Sequence, residues 1–219
     1  MTAMVVLSRI YTRTGDGGDT RLSDMSITRK SDVRVAAYGD VDEANSALGM
    51  VLAHRADIPD AIVVALAQVQ NELFDLGADL STPLVTDPEH PPLRITAEAV
   101  DRLETWCDEF GADLPTLRSF ILPGGTPAGA ALHFARTVCR RAERSAWFAA
   151  EELGTTPAEG DTPGGINPAA LRYLNRLSDL LFICARAVNG VADEVLWVPG
   201  GDRAQSISSV PNNNDVSDQ

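Results

Sequence analysis

The chain has few of the residues that mark a metal site, a disulfide scaffold or a nucleic-acid surface. It has three cysteines, Cys107, Cys139 and Cys184, an odd number with no CxxC pair. All three fall in stretches with helical patterning, so they read as buried, reduced thiols in a reducing compartment. The three histidines, His54, His90 and His133, are far apart and show no zinc-ligand spacing. Basic residues are also scarce: 18 Lys and Arg against 31 Asp and Glu give a formal net charge of -13. A phosphate backbone needs a basic surface, so this balance excludes a general nucleic-acid binder. It leaves room for a nucleotide, which needs only a local cluster of cations and N–H groups. The run MTAMVVLSRIYTR lacks a basic region followed by a long apolar core, and is not a secretory signal. Nowhere do about 18 apolar residues follow one another, so no membrane span is expected. Cytoplasm is the expected location.

The 219 residues, 44% hydrophobic and 22% charged, suffice for one well-buried domain with a tail. Residues 1–31 carry TRTGDGGDTRL, dense in Gly, Asp and Thr, and read as an irregular loop segment. Residues 32–199 read as an all-α bundle of five amphipathic helices with no convincing strand ladder between them. The first starts at Asp32, or at Asp40 with Glu43 as a capping-box partner, and runs to about His54. The second covers Pro59 to about Leu80, with Ile62, Leu66, Val69, Leu73 and Leu76 on one face. A Pro-rich linker follows, then a third helix from Thr96 to about Gly111. The fourth and fifth are bracketed by Thr126-Pro127 and Gly154, and by Asn167-Pro168 and Asn189-Gly190. Residues 200–219, polar and rich in Asn, Asp and Ser, read as a disordered tail.

Four constellations carry chemistry. Thr12, Arg13, Thr14, Gly15, Thr20 and Arg21 bring glycine N–H groups, hydroxyls and guanidinium groups that suit phosphate oxygens, with Lys30 close behind. The GxxxxGK[ST] phosphate loop is absent, and Gly-Asp-Gly-Gly is commonly just a turn. In the fourth helix Arg136, Arg140 and Glu143 share one face beside the apolar seam, with Arg141 and Arg144 adjacent. Surface ion pairs are the plain meaning of such spacing, but four arginines within nine residues of an acidic protein favour an anion. In the fifth helix Asn175 and Phe182 flank the seam; a mid-helix Asn has poor propensity and points to a hydrogen-bonding task. Finally, SFILPGG places Phe120 before the fourth helix, where a core plug is the ordinary role of a phenylalanine.

Five strings, YTRTGDGGDTRL, YGDVDEANSALG, SFILPGG, ARTVCRRAER and YLNRLSDLLFICAR, resemble the PduO-type ATP:cob(I)alamin adenosyltransferase family, in its order and over about Ile10 to Asn189. The resemblance implies a five-helix, ferritin-like bundle assembled as a homotrimer with ATP between subunits. It implies that Thr12, Arg13, Thr14, Gly15, Thr20, Arg21 and Lys30 of the N-terminal segment hold the triphosphate. Arg140, Arg141, Glu143, Arg144 and Asn175 complete the ATP site. Arg136 would pair across the subunit boundary with Asp42, Phe120 would pack under the corrin and exclude a lower axial ligand, and Phe182 would line the same pocket. Asp19 stands where the family more often has an uncharged residue, and nothing beyond Trp197 aligns.

The implied reaction is attack of Co(I) on the 5′ carbon of ATP, with Mg²⁺ carried through the phosphates. Cobalt is the nucleophile, so no Ser/His/Asp or Cys/His arrangement is required. A reductase and an adenosylcobalamin-dependent client enzyme, such as methylmalonyl-CoA mutase or a diol dehydratase, are the implied partners. Two alternatives stay open at this point: a carrier that hands adenosylcobalamin to its client, and a non-enzymatic ATP-binding trimeric bundle.

Overall fold

In the computed structural model, residue 11 and residues 13–200 are described. Thr12 and residues 201–219, which hold one expected phosphate contact and the expected tail, lie outside the described residues.

The N-terminal segment is not wholly irregular. It forms a short antiparallel hairpin, β1 (Asp19–Arg21) and β2 (Ile27–Arg29), with Thr20 opposite Thr28. Three-residue strands in a Gly- and Asp-rich context leave no alternation long enough to read from sequence. Five helices follow: α1 (Val33–Leu52), α2 (Asp60–Leu80), α3 (Ala97–Gly111), α4 (Pro127–Leu153) and α5 (Pro168–Asn189).

Their ends follow from local chemistry. The Asp32 carboxylate accepts the Arg34 N–H at 2.8 Å and the Thr28 hydroxyl at 2.7 Å, so one side chain caps α1 and ties it to β2. Of the two expected starts this is the one used. Asp40 lies inside α1, where its carboxylate accepts the Ser145 hydroxyl from α4. The Thr126 hydroxyl accepts the Gly129 N–H at 3.0 Å ahead of Pro127, and Gly154, at φ 77°, stops α4. The Asn167 side chain accepts the Ala169 N–H at 3.0 Å, and Gly190, at φ 75°, ends α5.

Helix α4 packs chiefly on α1 and α5, α1 also on α2, and α3 on α5. Along α4 the contact residues are small: Ala135, Ala142, Ala146 and Ala149 are essentially fully buried. They let α1 and α5 approach closely and bring Val41, Leu48, Leu174, Leu177 and Leu181 into one core. Each such Leu contributes about 1.5–3 kcal/mol by leaving water. Cys139 and Cys184 are buried in this core and Cys107 is half-buried; all three are free thiols. Burial raises all three thiol pKa values, that of Cys107 to about 11.

Buried polar groups lock the bundle ends. Arg34 donates to the carbonyls of Leu80 at 2.8 Å and Gly164 at 2.7 Å, closing the end of α2 against the loop before α5. Asp79 accepts the Ile95 N–H, the Asn167 amide and Arg94, which fixes the starts of α3 and α5 together. At the other end, Asn189 accepts both the N–H and the hydroxyl of Thr126 at 2.9 Å and donates to the Gly124 carbonyl at 2.9 Å. A Cβ on Gly129 would sit 1.8 Å from the Asn189 oxygen, so only glycine admits this clasp. The clasp sets where the Phe120 segment meets α4.

Candidate active site

The N-terminal segment encloses a cleft of about 650 Å³ lined by Tyr11, Arg13, Thr14, Gly15, Asp16, Asp19, Thr20, Arg21, Ile27 and Lys30. Every phosphate contact expected of the N-terminal segment, among the described residues, is therefore gathered in one place. The backbone accounts for the geometry. Gly18 takes φ 87°, Arg13 takes φ 63°, and the Gly18 carbonyl accepts the Lys30 N–H at 2.9 Å. A non-glycine residue in the left-handed region is strained, and strain of this kind gathers at ligand clamps. The Arg13 guanidinium lies 5.7 Å from the Tyr11 ring centroid. A Cβ on Gly15 would meet Lys30 Nζ at 3.1 Å, so glycine there keeps the ammonium against the loop. Lys30 is the only lysine in the chain. Asp19 is paired with Arg29 at 3.0 Å, which offsets its charge beside a site for anions.

The second group lies on α4 and α5. Arg140 and Arg144 are exposed, and Arg136 and Glu143 are half-buried on the same side of α4. Asn175 of α5 donates to Glu143 at 2.9 Å, and Arg144 donates to the Arg140 carbonyl at 3.0 Å. The Arg140 guanidinium donates to nothing among the described residues. Phe182 is held between His133, 6.1 Å away edge-on, and Arg136, whose guanidinium carbon lies 6.0 Å from its centroid. Burial, then the neighbouring Arg140, lowers the Arg136 pKa; burial, then Arg136, lowers that of His133. Arg136 Nε and both His133 nitrogens are buried without a partner among the described residues. Unmade hydrogen bonds of this kind are costly and point to an acceptor from outside.

Arg141 stands apart from this group. It lies about a quarter-turn round the helix from Arg140 and pairs with Asp40 and Glu43 of α1. Within one chain Asp42 and Arg136 are not paired. Asp42 lines a groove of about 470 Å³ between α1 and α2 with Tyr38, Gly39, Phe74, Gly77 and Arg21. Among the described residues it pairs with no cation.

Phe120 is 78% exposed, which rules out the core-plug reading. The cost of leaving so large a ring in water marks it as a contact surface. Beside it lies Trp197, whose signal in the sequence was the short apolar run Val195-Leu196-Trp197-Val198 after the last helix. His133 was passed over as one of three scattered histidines.

Within one chain the two groups do not meet. The N-terminal cleft is lined by no residue of α4 or α5, and Arg21 is shared between it and the Asp42 groove.

Similarity to known proteins follows the same residues. The sequence model of the family described as cobalamin adenosyltransferase matches residues 10–188. A corrinoid adenosyltransferase of Mycobacterium tuberculosis is 57% identical over 203 residues, covering 92% of this chain and 99% of the relative. One from Bacillus subtilis is 42% identical over 192 residues, covering 84% and 90%. Among solved structures, a phenylalanine-to-histidine variant of a PduO-type ATP:corrinoid adenosyltransferase from Lactobacillus reuteri, complexed with cobalamin and ATP, superposes with a TM-score of 0.74 at 36% identity. It covers 86% of this chain and 96% of that one. The chain belongs to the cobalamin adenosyltransferase family.

Proposed function

We propose that the chain transfers the 5′-deoxyadenosyl group of ATP to cob(I)alamin, giving adenosylcobalamin and triphosphate. The observation that carries the site assignment is the shared Arg21. It makes the phosphate cleft and the Asp42 groove neighbours on one chain, while Arg136 and Arg140 sit one turn apart on α4. An α4 from a second copy, docked with Arg136 on Asp42, brings Arg140 to the phosphate cleft. In that arrangement ATP lies between subunits, and a ring of three such contacts would give the homotrimer that the family resemblance implies.

In the reaction the Co(I) electron pair attacks C5′. The C5′–O bond breaks and its electrons leave with the triphosphate. The protein supplies no nucleophile; it orients and stabilises. Holding the two reactants in line can supply up to about 7–11 kcal/mol of the barrier. Lys30 and the loop N–H groups from one subunit, with Arg140 and Arg144 from the next, stabilise the leaving charge. Asn175 and Glu143, already bonded to each other, line a shallow hollow of about 220 Å³ with Trp147 and Arg172, suited to the nucleoside end. Asp16, Thr14 and Thr20 give the cleft oxygen donors of the kind Mg²⁺ accepts, and Mg²⁺ on the phosphates would add charge neutralisation there. Phe120 provides an apolar wall beneath the corrin. With water and the lower ligand excluded, Co(II) loses an axial donor and becomes easier to reduce.

No helix among the described residues is long and apolar enough to cross a membrane. Two deeply buried free thiols suit a reducing cytoplasm, where a reductase would supply the electron and an adenosylcobalamin-dependent enzyme would take the product. The test mixes the protein with chemically reduced cobalamin and MgATP. The adenosylcobalamin spectrum should replace that of Co(I), with one triphosphate released per product; nucleotide binding without spectral change would overturn the assignment.

A further inference from the structure

The exposed Phe120 side chain rests on a backbone that is firmly held. The Leu122 N–H donates to the Val195 carbonyl at 2.8 Å and the Trp197 N–H to the Phe120 carbonyl at 2.7 Å, with Ile121 opposite Leu196 between them. The Ser119 hydroxyl donates to the Trp197 carbonyl at 3.0 Å. The segment after α5 thus returns as an antiparallel partner of the Phe120 segment. Both partners are moored to α5. Arg186 pairs with Glu194 at 2.6 Å in a nearly buried ion pair and donates to the Pro115 carbonyl at 3.0 Å.

On this ladder the Trp197 ring meets the Phe120 ring edge-to-face, with centroids 6.2 Å apart and planes at 72°. Trp197 is itself 42% exposed, so the pair stands out from the bundle and does not plug it. A phenyl ring in water with no neighbour samples several rotamers, and holding one of them costs entropy. An edge contact from a ring fixed by its own main-chain bonds selects one orientation before any ligand arrives.

We propose that Trp197 is a positioning residue for Phe120: it holds the phenyl ring in the orientation that walls off the lower face of the corrin. The proposal rests on the reading of Phe120 as that wall. Trp197 acts through Phe120, not on ATP: its ring meets Phe120, and it does not line the phosphate cleft. Its removal therefore affects the cobalt environment and spares nucleotide affinity.

The experiment compares Trp197→Ala, Trp197→Phe and Phe120→Ala in the full chain loaded with MgATP and cob(II)alamin. It reads the fraction of cobalt lacking a lower ligand by electronic and electron paramagnetic resonance spectra, together with KM for ATP and the melting temperature. Trp197→Ala should lower that fraction, and turnover started from Co(II), by about two- to tenfold, the factor an edge-to-face aromatic pair is worth. KM for ATP should stay at the wild-type value, and Trp197→Phe should restore most of the loss. A Trp197→Ala protein with the wild-type cobalt spectrum, alongside a Phe120→Ala protein that has lost the signature, overturns the proposal and leaves the Phe120 wall standing. A Phe120→Ala protein that keeps the signature overturns both. Loss of the signature in Trp197→Ala only in proportion to a general loss of fold, with no rescue by phenylalanine, also overturns it.

Discussion

Arg136 of α4 places its guanidinium carbon 6.0 Å from the ring centroid of Phe182 in α5, and its Nε is buried there with no acceptor among the described residues. A half-buried cation with an unmade hydrogen bond is incomplete in the single chain, and Asp42, exposed in the groove between α1 and α2, is a carboxylate without a cation partner among the described residues. In the proposed assembly the two complete each other between copies. Breaking a desolvated pair by removing one partner costs about 3–5 kcal/mol. Arg136→Ala and Asp42→Ala should each weaken subunit association by about two to four orders of magnitude, read by sedimentation over a dilution series. Exchanging the charges, Arg136→Asp with Asp42→Arg, should recover much of it. An Arg136→Ala protein that stays assembled at the dilution where wild type does would refute the pairing.

Arg140 is one turn further along the same side, exposed and with no acceptor for its guanidinium among the described residues. In the proposed inter-subunit site it is a cation for the triphosphate. Losing a hydrogen bond to a charged group costs about 1.5–3 kcal/mol. Arg140→Ala should therefore lower kcat/KM for ATP by about 10- to 150-fold. Arg140→Lys should recover part of that, since it keeps the charge but not the planar fork. Steady-state kinetics decides the matter: wild-type kcat/KM in Arg140→Ala removes this arginine from the site.

How far the sequence carries depends on whether the determining interactions are local. The ends of α4 and α5 were legible because Thr126-Pro127, Asn167-Pro168, Gly154 and Gly190 act within one turn. The start of α1 was ambiguous between Asp32 and Asp40, and the decision came from two partners outside the helix: Thr28 holds Asp32, and Ser145 holds Asp40. The hairpin was missed because three-residue strands carry no period. Arg141 and Arg140 are neighbours in sequence and looked equivalent, but helical rotation sends Arg141 to Asp40 and Glu43 of α1. Trp197 was beyond reach for a different reason. Its meaning depends on a ladder to Phe120 across 77 positions, and nothing local in either stretch encodes it.

Lys30 gives a chemical handle on the phosphate cleft. It is the only lysine of the chain, and its ammonium lies in van der Waals reach of any side chain placed at Gly15. An amine-acylating reagent at neutral pH should therefore modify only Lys30 and the terminal amine. MgATP should slow labelling of Lys30 by about tenfold or more if a phosphate pairs with it, and leave labelling of the terminal amine unchanged. Peptide mass spectrometry separates the two sites. Equal labelling of Lys30 with and without saturating nucleotide would place the triphosphate elsewhere.

Tyr173 makes a separate prediction about stability. Its hydroxyl is buried and donates to Glu72 at 2.6 Å, while Glu72 also holds Gln68 and Arg102. Burial first, and then the Glu72 charge, raises the Tyr173 pKa well above 10.0. An unfolded tyrosine ionises near pH 10. The folded state therefore keeps a proton that the unfolded state gives up, and stability is lost as pH rises from about 10 through the folded value. Below pH 10 both states are protonated, so the slope vanishes. Tyr173→Phe removes this titration but leaves Glu72 one donor short, which costs about 1–3 kcal/mol at pH 7. The buried thiols of Cys139 and Cys184 also destabilise the fold as pH rises above 9.0, and they do so equally in both proteins. The difference between wild type and Tyr173→Phe isolates the phenol. Urea midpoints from pH 7 to 11 should show that difference constant up to about pH 10 and shrinking beyond it. A difference that stays constant to pH 11 would mean that Tyr173 reaches solvent and ionises in the native protein.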